Sequence, residues 1–193
     1  MFYGLEFEHP NILSIADMGA IIFYFIVYSF LGWMLENSFS LLTKHTFFKP
    51  GFFVGPFKPM YGIAPVLLIC LVHADTNWMI LLILCFVIPS FVEYMSGYLL
   101  KKFFRRRWWD YTDIPLQLHG HICLIFSFCW LFLSLVCLKF LHPIIFTLYR
   151  GVESSWLWLC PVVLCYLLIE MYFAIRRHSQ INPASMKTTD TIQ

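Results

Sequence analysis

Long apolar stretches, separated by short polar or Gly/Pro-rich segments, dominate this sequence. A helix needs roughly 20 apolar residues to cross about 30 Å of hydrocarbon. Five stretches qualify as candidates, although the second is short and contains Pro65: residues 19–42, 60–72, 78–100, 118–140 and 155–175. The pattern predicts an all-α, polytopic membrane bundle with five transmembrane helices. Residues 142–149 are too few to cross and are predicted to lie along the outer interface.

The composition agrees with a membrane protein. Of the 193 residues, 60% are hydrophobic and 12% are charged, whereas a soluble domain carries about 25% charged residues. We therefore predict one transmembrane domain over residues 1–178, surrounded by lipid. The polar segment 179–193 is predicted to be a disordered tail.

Lysine and arginine in the connections indicate the orientation, because cytoplasmic loops of membrane proteins carry an excess of both. With five spans and a cytoplasmic C-terminus, the N-terminus lies outside. Eleven of the 13 basic residues then fall on the cytoplasmic side. The sequence therefore predicts a multi-pass protein of the cell membrane with this orientation.

Three glutamates interrupt the apolar runs: Glu36, Glu93 and Glu170. At a rise of 1.5 Å per residue, each lies about 8–10 Å inside the cytoplasmic boundary. A charged carboxylate in hydrocarbon costs about 2.5 kcal/mol or more. We therefore predict a polar site at this depth. The alternative is that each acid reaches the interface or pairs with a nearby basic residue, as Glu170 would with Arg176 or Arg177.

Residues 47–65 connect the first two spans and contain four prolines, three glycines and five phenylalanines. Proline and glycine at this density exclude a continuous helix, whereas the phenylalanines are unusual for a solvated loop. The segment is predicted to re-enter the membrane or to lie in the interface, where it brings Lys49 and Lys58 toward the acids. A hydrophobic loop resting on the headgroups is the alternative. Tyr61 is a further candidate binding residue.

The connection of residues 101–115 runs from Lys101 to Pro115 and begins with a basic cluster. Basic residues near a membrane surface contribute about 1 kcal/mol each against anionic headgroups, so this half serves orientation and does not predict nucleic-acid binding. Asp110 and Tyr111 follow, and with His119 they form a second group of candidates at the mouth of a cavity.

Metal and cofactor sites are not predicted. His119 and His121 would point about 200° apart on a helix and could not easily share one ion. The sequence also lacks the P-loop, G-x-S-x-G and H-E-x-x-H motifs of nucleotide-binding proteins, hydrolases and metalloproteases.

Several motifs occur in an order that resembles a bacterial membrane family. They are YSFLGWMLE at 28–36, GFFVGPFKPMYG at 51–62, WDYT at 109–112 and LQLHGHICL at 116–124. The chain resembles the family named "putative ABC-transporter type IV", or CmpB-like permeases. It departs from the family pattern at Lys58, Thr112 and Gln117, where a small residue, a serine and an asparagine are expected.

The resemblance implies a transport permease or a permease subunit. If ATP drives it, a separate ATPase must dock on a cytoplasmic connection, for which residues 101–115 are the candidate. A homo-oligomer is expected because a single bundle encloses little volume. Glu36 and Glu93 would act as a proton- or cation-responsive pair.

Two alternatives stay open. The first is a membrane enzyme acting on a lipid or isoprenoid, in which Glu36, Glu93, Asp110 and His119 supply acid–base groups while Lys58 and the arginines hold a phosphate. The second is a small regulatory or assembly protein whose acids only fix helix packing.

Overall fold

The computed structural model describes residues 15–48, 51–73 and 75–179, and it is mainly helical. The elements, in chain order, are α1 (Ile15–Lys44), α2 (Pro59–Leu71), α3 (Trp78–Phe104), β1 (Gln117–Leu118), β2 (Ile122–Cys123), α4 (Leu124–Val136), a π-helical turn (Cys137–Leu141) and α5 (His142–Ser179). Lys49 and the predicted tail beyond residue 179 lie outside the described residues.

Three helical stretches are long and apolar enough to cross a membrane within the described part of the chain. They are Met18–Thr43, Trp78–Phe104 and Leu124–Ser179, and α2 is a shorter apolar helix beside them. The prediction of an apolar helical bundle is confirmed. The prediction of five separate transmembrane helices is not supported.

The difference arises after residue 136. There α4, the π-helical turn and α5 follow one another without a break, so the predicted fourth and fifth spans are not separate. Pro143 lies inside this continuous helix, and the π-helical turn directly before it changes the hydrogen-bonding pattern at the position where the proline lacks an N–H. Residues 142–149 are not a separate interfacial segment, because Ile145 and Tyr149 are buried against other helices.

Glycine allows α1 and α2 to pack at close range. A Cβ atom on Gly62 would lie 2.5 Å from the backbone oxygen of Phe25, and one on Gly32 would overlap the Cβ of Tyr61. Small residues permit this approach in membrane bundles, where packing rather than hydrophobicity drives helix association. The contact fixes the start of α2, and with it Lys58 and Tyr61, against the middle of α1.

The apolar core lies toward the beginning of α1. Phe23 and Tyr24 of α1 pack there with Leu68 of α2 and with Tyr149 and Trp156 of α5. The indole N–H of Trp156 donates to the Gly19 carbonyl over 2.7 Å. Tyr28 Oη and His142 Nδ1 are 3.1 Å apart at the other side of this core.

A short antiparallel hairpin precedes α4. Gln117 pairs with Cys123 and Leu118 with Ile122, and the turn uses left-handed backbone at His119 and Gly120, with φ of 54° and 73°. The predicted start of a helix at residue 118 is therefore wrong. The local turn, in which the Gly120 N–H donates to Gln117 Oε1 over 2.6 Å, prevents helix before Leu124.

The ends of α3 and α5 come together around an irregular segment, residues 51–58. The Phe52 ring contacts Phe104, Trp108 and His178, at centroid distances of 5.1, 5.8 and 5.3 Å. This end of the bundle therefore carries both basic clusters of the sequence, and we call it the basic end. It comprises Lys101, Lys102, Arg105, Arg106, Arg107, Arg176 and Arg177. Whether residues 47–58 re-enter the membrane stays a prediction.

Candidate functional site

A cavity of about 290 Å³ lies at the basic end. It is bounded by α1, the start of α2, α3, the connection that follows α3 and Met171 of α5, with segment 51–58 as one wall. Aromatic and aliphatic side chains form most of its surface. The polar residues that line it are Glu36, Lys58, Tyr61, Glu93, Ser96 and Tyr111.

Glu93 is the most enclosed acid of this cavity, with only 3% of its surface exposed. Its Oε1 accepts a hydrogen bond from the Tyr111 hydroxyl over 2.9 Å, and its Oε2 accepts one from the Trp130 indole N–H over 2.7 Å. Both donors are neutral, and Glu93 forms no ion pair within the described residues. The carboxylate is therefore positioned and hydrogen-bonded, but its charge is not offset.

Glu36 is held differently. Its Oε2 lies 2.6 Å from Lys58 Nζ, and the side chains are 21% and 16% exposed. Lys58 precedes the first turn of α2, and its backbone N–H donates to the Ser29 carbonyl over 3.1 Å. The loop thus places the Lys58 ammonium beside Glu36, whereas within the described residues no cation lies beside Glu93.

Tyr61 and Tyr111 close the cavity from two sides. The Tyr61 ring packs on Trp130 at 5.1 Å between centroids, and Tyr111 stacks on Phe126 at 5.0 Å. The Tyr111 backbone N–H donates to the Gly120 carbonyl, which ties the connection to the hairpin. Burial, followed by the neighbouring Glu93 charge, raises the pKa of Tyr111, so the phenol stays a hydrogen-bond donor.

Asp110 lies outside the lining of this cavity among the described residues. It accepts hydrogen bonds from Thr112 and from Arg107. The hydrogen bond from the Thr112 hydroxyl, followed by that from Arg107, lowers the pKa of Asp110 to about 2. This carboxylate organises the turn that presents Tyr111.

The histidines of the hairpin also lie away from the cavity lining. His119 is exposed, and its Nδ1 is 3.0 Å from the Tyr94 hydroxyl. His121 is buried, and burial together with the nearby Lys101 and Arg107 charges lowers its pKa. The helical spacing argument does not apply to these residues, since they belong to a turn. Within the described part of the chain, no group of three or more ligating side chains could hold a metal ion.

Glu170 is separate from the other two acids. Its Oε1 accepts hydrogen bonds from the backbone N–H groups of Val54 and Gly55, over 2.6 and 2.7 Å. Within the described residues it forms no ion pair with Arg176 or Arg177, and it does not line the cavity. Glu170 anchors segment 51–58, which forms the cavity wall.

Trp130 and Trp109 were not among the predicted site residues, although Trp109 opens the WDYT motif. Trp130 binds Glu93, and the Trp109 indole N–H donates to the His121 carbonyl over 2.9 Å at the cavity wall. A tryptophan in an apolar helix usually finds an acceptor for its N–H, so Trp130 did signal a polar partner. Sequence alone does not identify that partner, which lies 37 positions away.

Comparison with protein families gives a match over residues 23–175 to the family described as "Putative ABC-transporter type IV". The chain belongs to this family. The resemblance inferred from the motifs is thereby confirmed, and the match includes every residue of the cavity. Together with the three long apolar helices, it fits a membrane protein related to ABC transporters. Neither the curated proteins nor the solved structures gave a match.

Proposed function

We propose that the protein is a membrane permease, or the permease subunit of an ABC-type transporter, with an acidic site that takes up protons or cations from the cytoplasmic side. The observation that carries this proposal is the position of Glu93. It is almost fully buried, it is held by Tyr111 and Trp130, and it shares one cavity with the Glu36–Lys58 pair.

The charges in the cavity are the reason that we propose a proton or a cation as the ligand. Lys58 offsets the charge of Glu36, whereas within the described residues only neutral groups donate to Glu93, so no cation there offsets the charge of an ionised Glu93. A buried, uncompensated charge within a membrane protein is costly. Either a proton or a cation at Glu93 removes this cost, which makes binding at the site favourable.

The proposed orientation follows from the basic end. Lysine and arginine are enriched in cytoplasmic segments, so we place this end, and the cavity with it, at the cytoplasmic face of the cell membrane. The end of α5 belongs to the basic end and α1 begins away from it. This arrangement supports an outer N-terminus and a cytoplasmic C-terminus.

ATP-driven transport would require a second protein, because the sequence contains no P-loop. We propose that an ATPase subunit docks on the connection of residues 101–115, whose basic residues include the exposed Lys101, Lys102 and Arg107. A homo-oligomer remains part of this proposal. Capture of the tagged protein from native membranes, followed by identification of a nucleotide-binding partner, tests the docking claim.

A measurement of charge movement across the membrane tests the proposed function. Protein reconstituted in liposomes on a solid-supported membrane should give a transient current after a pH or cation jump. Glu93→Gln should abolish this current, because an amide keeps the size of the side chain but cannot bind a proton. Glu153→Gln, at a half-buried position of α5 that pairs with Arg150 and does not line the cavity, is the control and should retain the current. Equal currents in both variants would contradict the proposal.

The structure offers less support for a lipid-modifying enzyme. Of the four acid–base groups considered for it, Glu36 and Glu93 line the cavity, whereas Asp110 and His119 lie elsewhere. A role limited to assembly predicts that Glu93→Gln leaves both current and cell growth unchanged, so the same variant separates this alternative from a permease.

A further inference from the structure

A second cavity, of about 580 Å³, lies at the basic end beside the acidic one. The two cavities share Phe53, Phe57 and Lys58 as a common wall. Its own polar wall is basic and comes from the ends of α3 and α5: Arg106, Arg177 and His178. The proposed transport site uses none of these three residues.

The basic side chains are held in place by aromatic and backbone contacts. The Arg106 guanidinium lies over the Trp108 ring at 5.4 Å. Arg177 Nη2 donates to the Phe52 carbonyl over 2.9 Å, and His178 is packed between Phe52 and Trp108. The wall is therefore ordered before any ligand binds, which lowers the entropic cost of binding.

The charges of this wall are not balanced by acids. Lys58 pairs with Glu36, and Glu170 occupies the N–H groups of Val54 and Gly55 at the edge of the cavity. Neither Arg106 nor Arg177 forms an ion pair with any residue in the described part of the chain. Two guanidinium groups thus face one cavity with a single carboxylate at its edge.

His178 adds an independent observation. It is 8% exposed, and its Nδ1 is a buried atom with no hydrogen-bond partner among the described residues. Its Nε2 is 3.1 Å from the Phe52 carbonyl oxygen. Nε2 also lies 3.2 Å from Arg177 Nη2, so the imidazole helps to fix Arg177 and segment 51–58 in the wall of the cavity.

We propose that this second cavity binds a phosphate group. Arginine is the preferred residue for phosphate because its planar fork of donors matches the anion. Basic pockets between transmembrane helices on the cytoplasmic side bind anionic lipid headgroups. The apolar part of the wall, with Trp33 and the 78% exposed Phe48, suits the chain of such a lipid. Free phosphate is the other source of the same chemistry.

The test uses the full-length protein in detergent and compares two double variants. Arg106→Gln/Arg177→Gln removes the two guanidinium groups of the cavity. Arg105→Gln/Arg176→Gln removes the same charge from the neighbouring positions, which do not line the cavity. Binding of phosphatidylglycerol, phosphatidylcholine and inorganic phosphate is measured by native mass spectrometry and by thermal stabilisation.

For a lipid ligand, phosphatidylglycerol should bind saturably and phosphatidylcholine at least tenfold more weakly. For free phosphate, inorganic phosphate should stabilise the protein and displace the lipid. In either case Arg106→Gln/Arg177→Gln should bind at least tenfold more weakly than the wild type. Arg105→Gln/Arg176→Gln should bind within about twofold of the wild type. Equal losses in both variants, or no saturable binding of any probe, would overturn the proposal.

Arg106→Gln alone is the second variant if the double variant does not fold. Within the described residues Arg106 forms no hydrogen bond or ion pair, and its guanidinium lies over the Trp108 ring, so its loss should leave the fold intact. It should still weaken binding, and wild-type affinity in this variant would count against the cavity.

Discussion

Glu36 and Lys58 form the one ion pair of the acidic cavity within the described residues, and each depends on the other. Lys58→Met removes the ammonium beside the partly buried Glu36 carboxylate, and Glu36→Gln removes the charge beside Lys58. Because removing one member of a partly buried pair weakens the compensation of the other charge, each single variant should lose about 1–3 kcal/mol of stability.

The double variant distinguishes pairing from packing. Lys58→Met/Glu36→Gln removes both charges together, so its loss of stability should be smaller than the sum of the two single losses. Thermal unfolding of all four proteins in one detergent gives the coupling. Strictly additive losses would show that the two side chains do not interact.

Glu170 illustrates how a carboxylate can hold a loop rather than a ligand. Hydrogen bonds to charged groups contribute about 1.5–3 kcal/mol each. Glu170→Ala should therefore accelerate hydrogen exchange at Val54 and Gly55 by about tenfold or more, since both amides lose their acceptor. Glu153→Ala, on the same helix, is the control and should leave exchange in segment 51–58 unchanged. Unchanged exchange in the Glu170 variant would contradict its anchoring role.

At the scale of elements, substitution of glycine by alanine is expected to change stability in opposite directions at two positions. Gly62→Ala should destabilise the protein by about 1–3 kcal/mol, because its methyl group meets the backbone of α1 in a close-packed contact. Gly151→Ala should stabilise it by about 0.5–1 kcal/mol, since this glycine lies within α5 and, apart from its chain neighbours and the backbone of its own helix, no atom of the described residues lies within 4 Å of the added methyl. Thermal unfolding measures both, and equal shifts of the same sign would disprove this account of α1–α2 packing.

Helix boundaries were predictable where hydrophobicity alone determines them. The boundaries predicted for α2 and for the start of α3 agree with the structure within one residue. The hairpin at residues 117–123 was not predictable from the apolar run that contains it, because left-handed backbone at His119 depends on the local turn. The joined helix after residue 136 was missed because residues 142–149 were too short an apolar stretch to count as a span, whereas the structure includes them in a helix that continues through the π-helical turn.

At the scale of the whole molecule, the depth of the glutamates below the membrane boundary predicted only part of the site. The shared depth of the three glutamates indicated that Glu36 and Glu93 could meet, and the structure brings both to one cavity. Depth does not give the rotation of a helix about its axis, so it did not separate Glu170 from them. Trp130 and the role of Asp110 in a turn depend on tertiary contacts that a single sequence does not encode in any local pattern.

The central claim is that Glu93 and Glu36 line a cavity that water reaches from the cytoplasmic side. Ser96 lines this cavity, whereas Phe91 lies on the same helix and is 60% exposed on the outer surface of the bundle. The decisive measurement is the reaction of Ser96→Cys and Phe91→Cys, each in a cysteine-free background, with a charged thiol reagent that does not cross membranes.

With the reagent on the cytoplasmic side, Ser96→Cys should react at least tenfold faster than Phe91→Cys, and it should be protected when the reagent is outside. Equally slow reaction at both positions, or fast reaction of Ser96→Cys from the outer side only, would contradict the account.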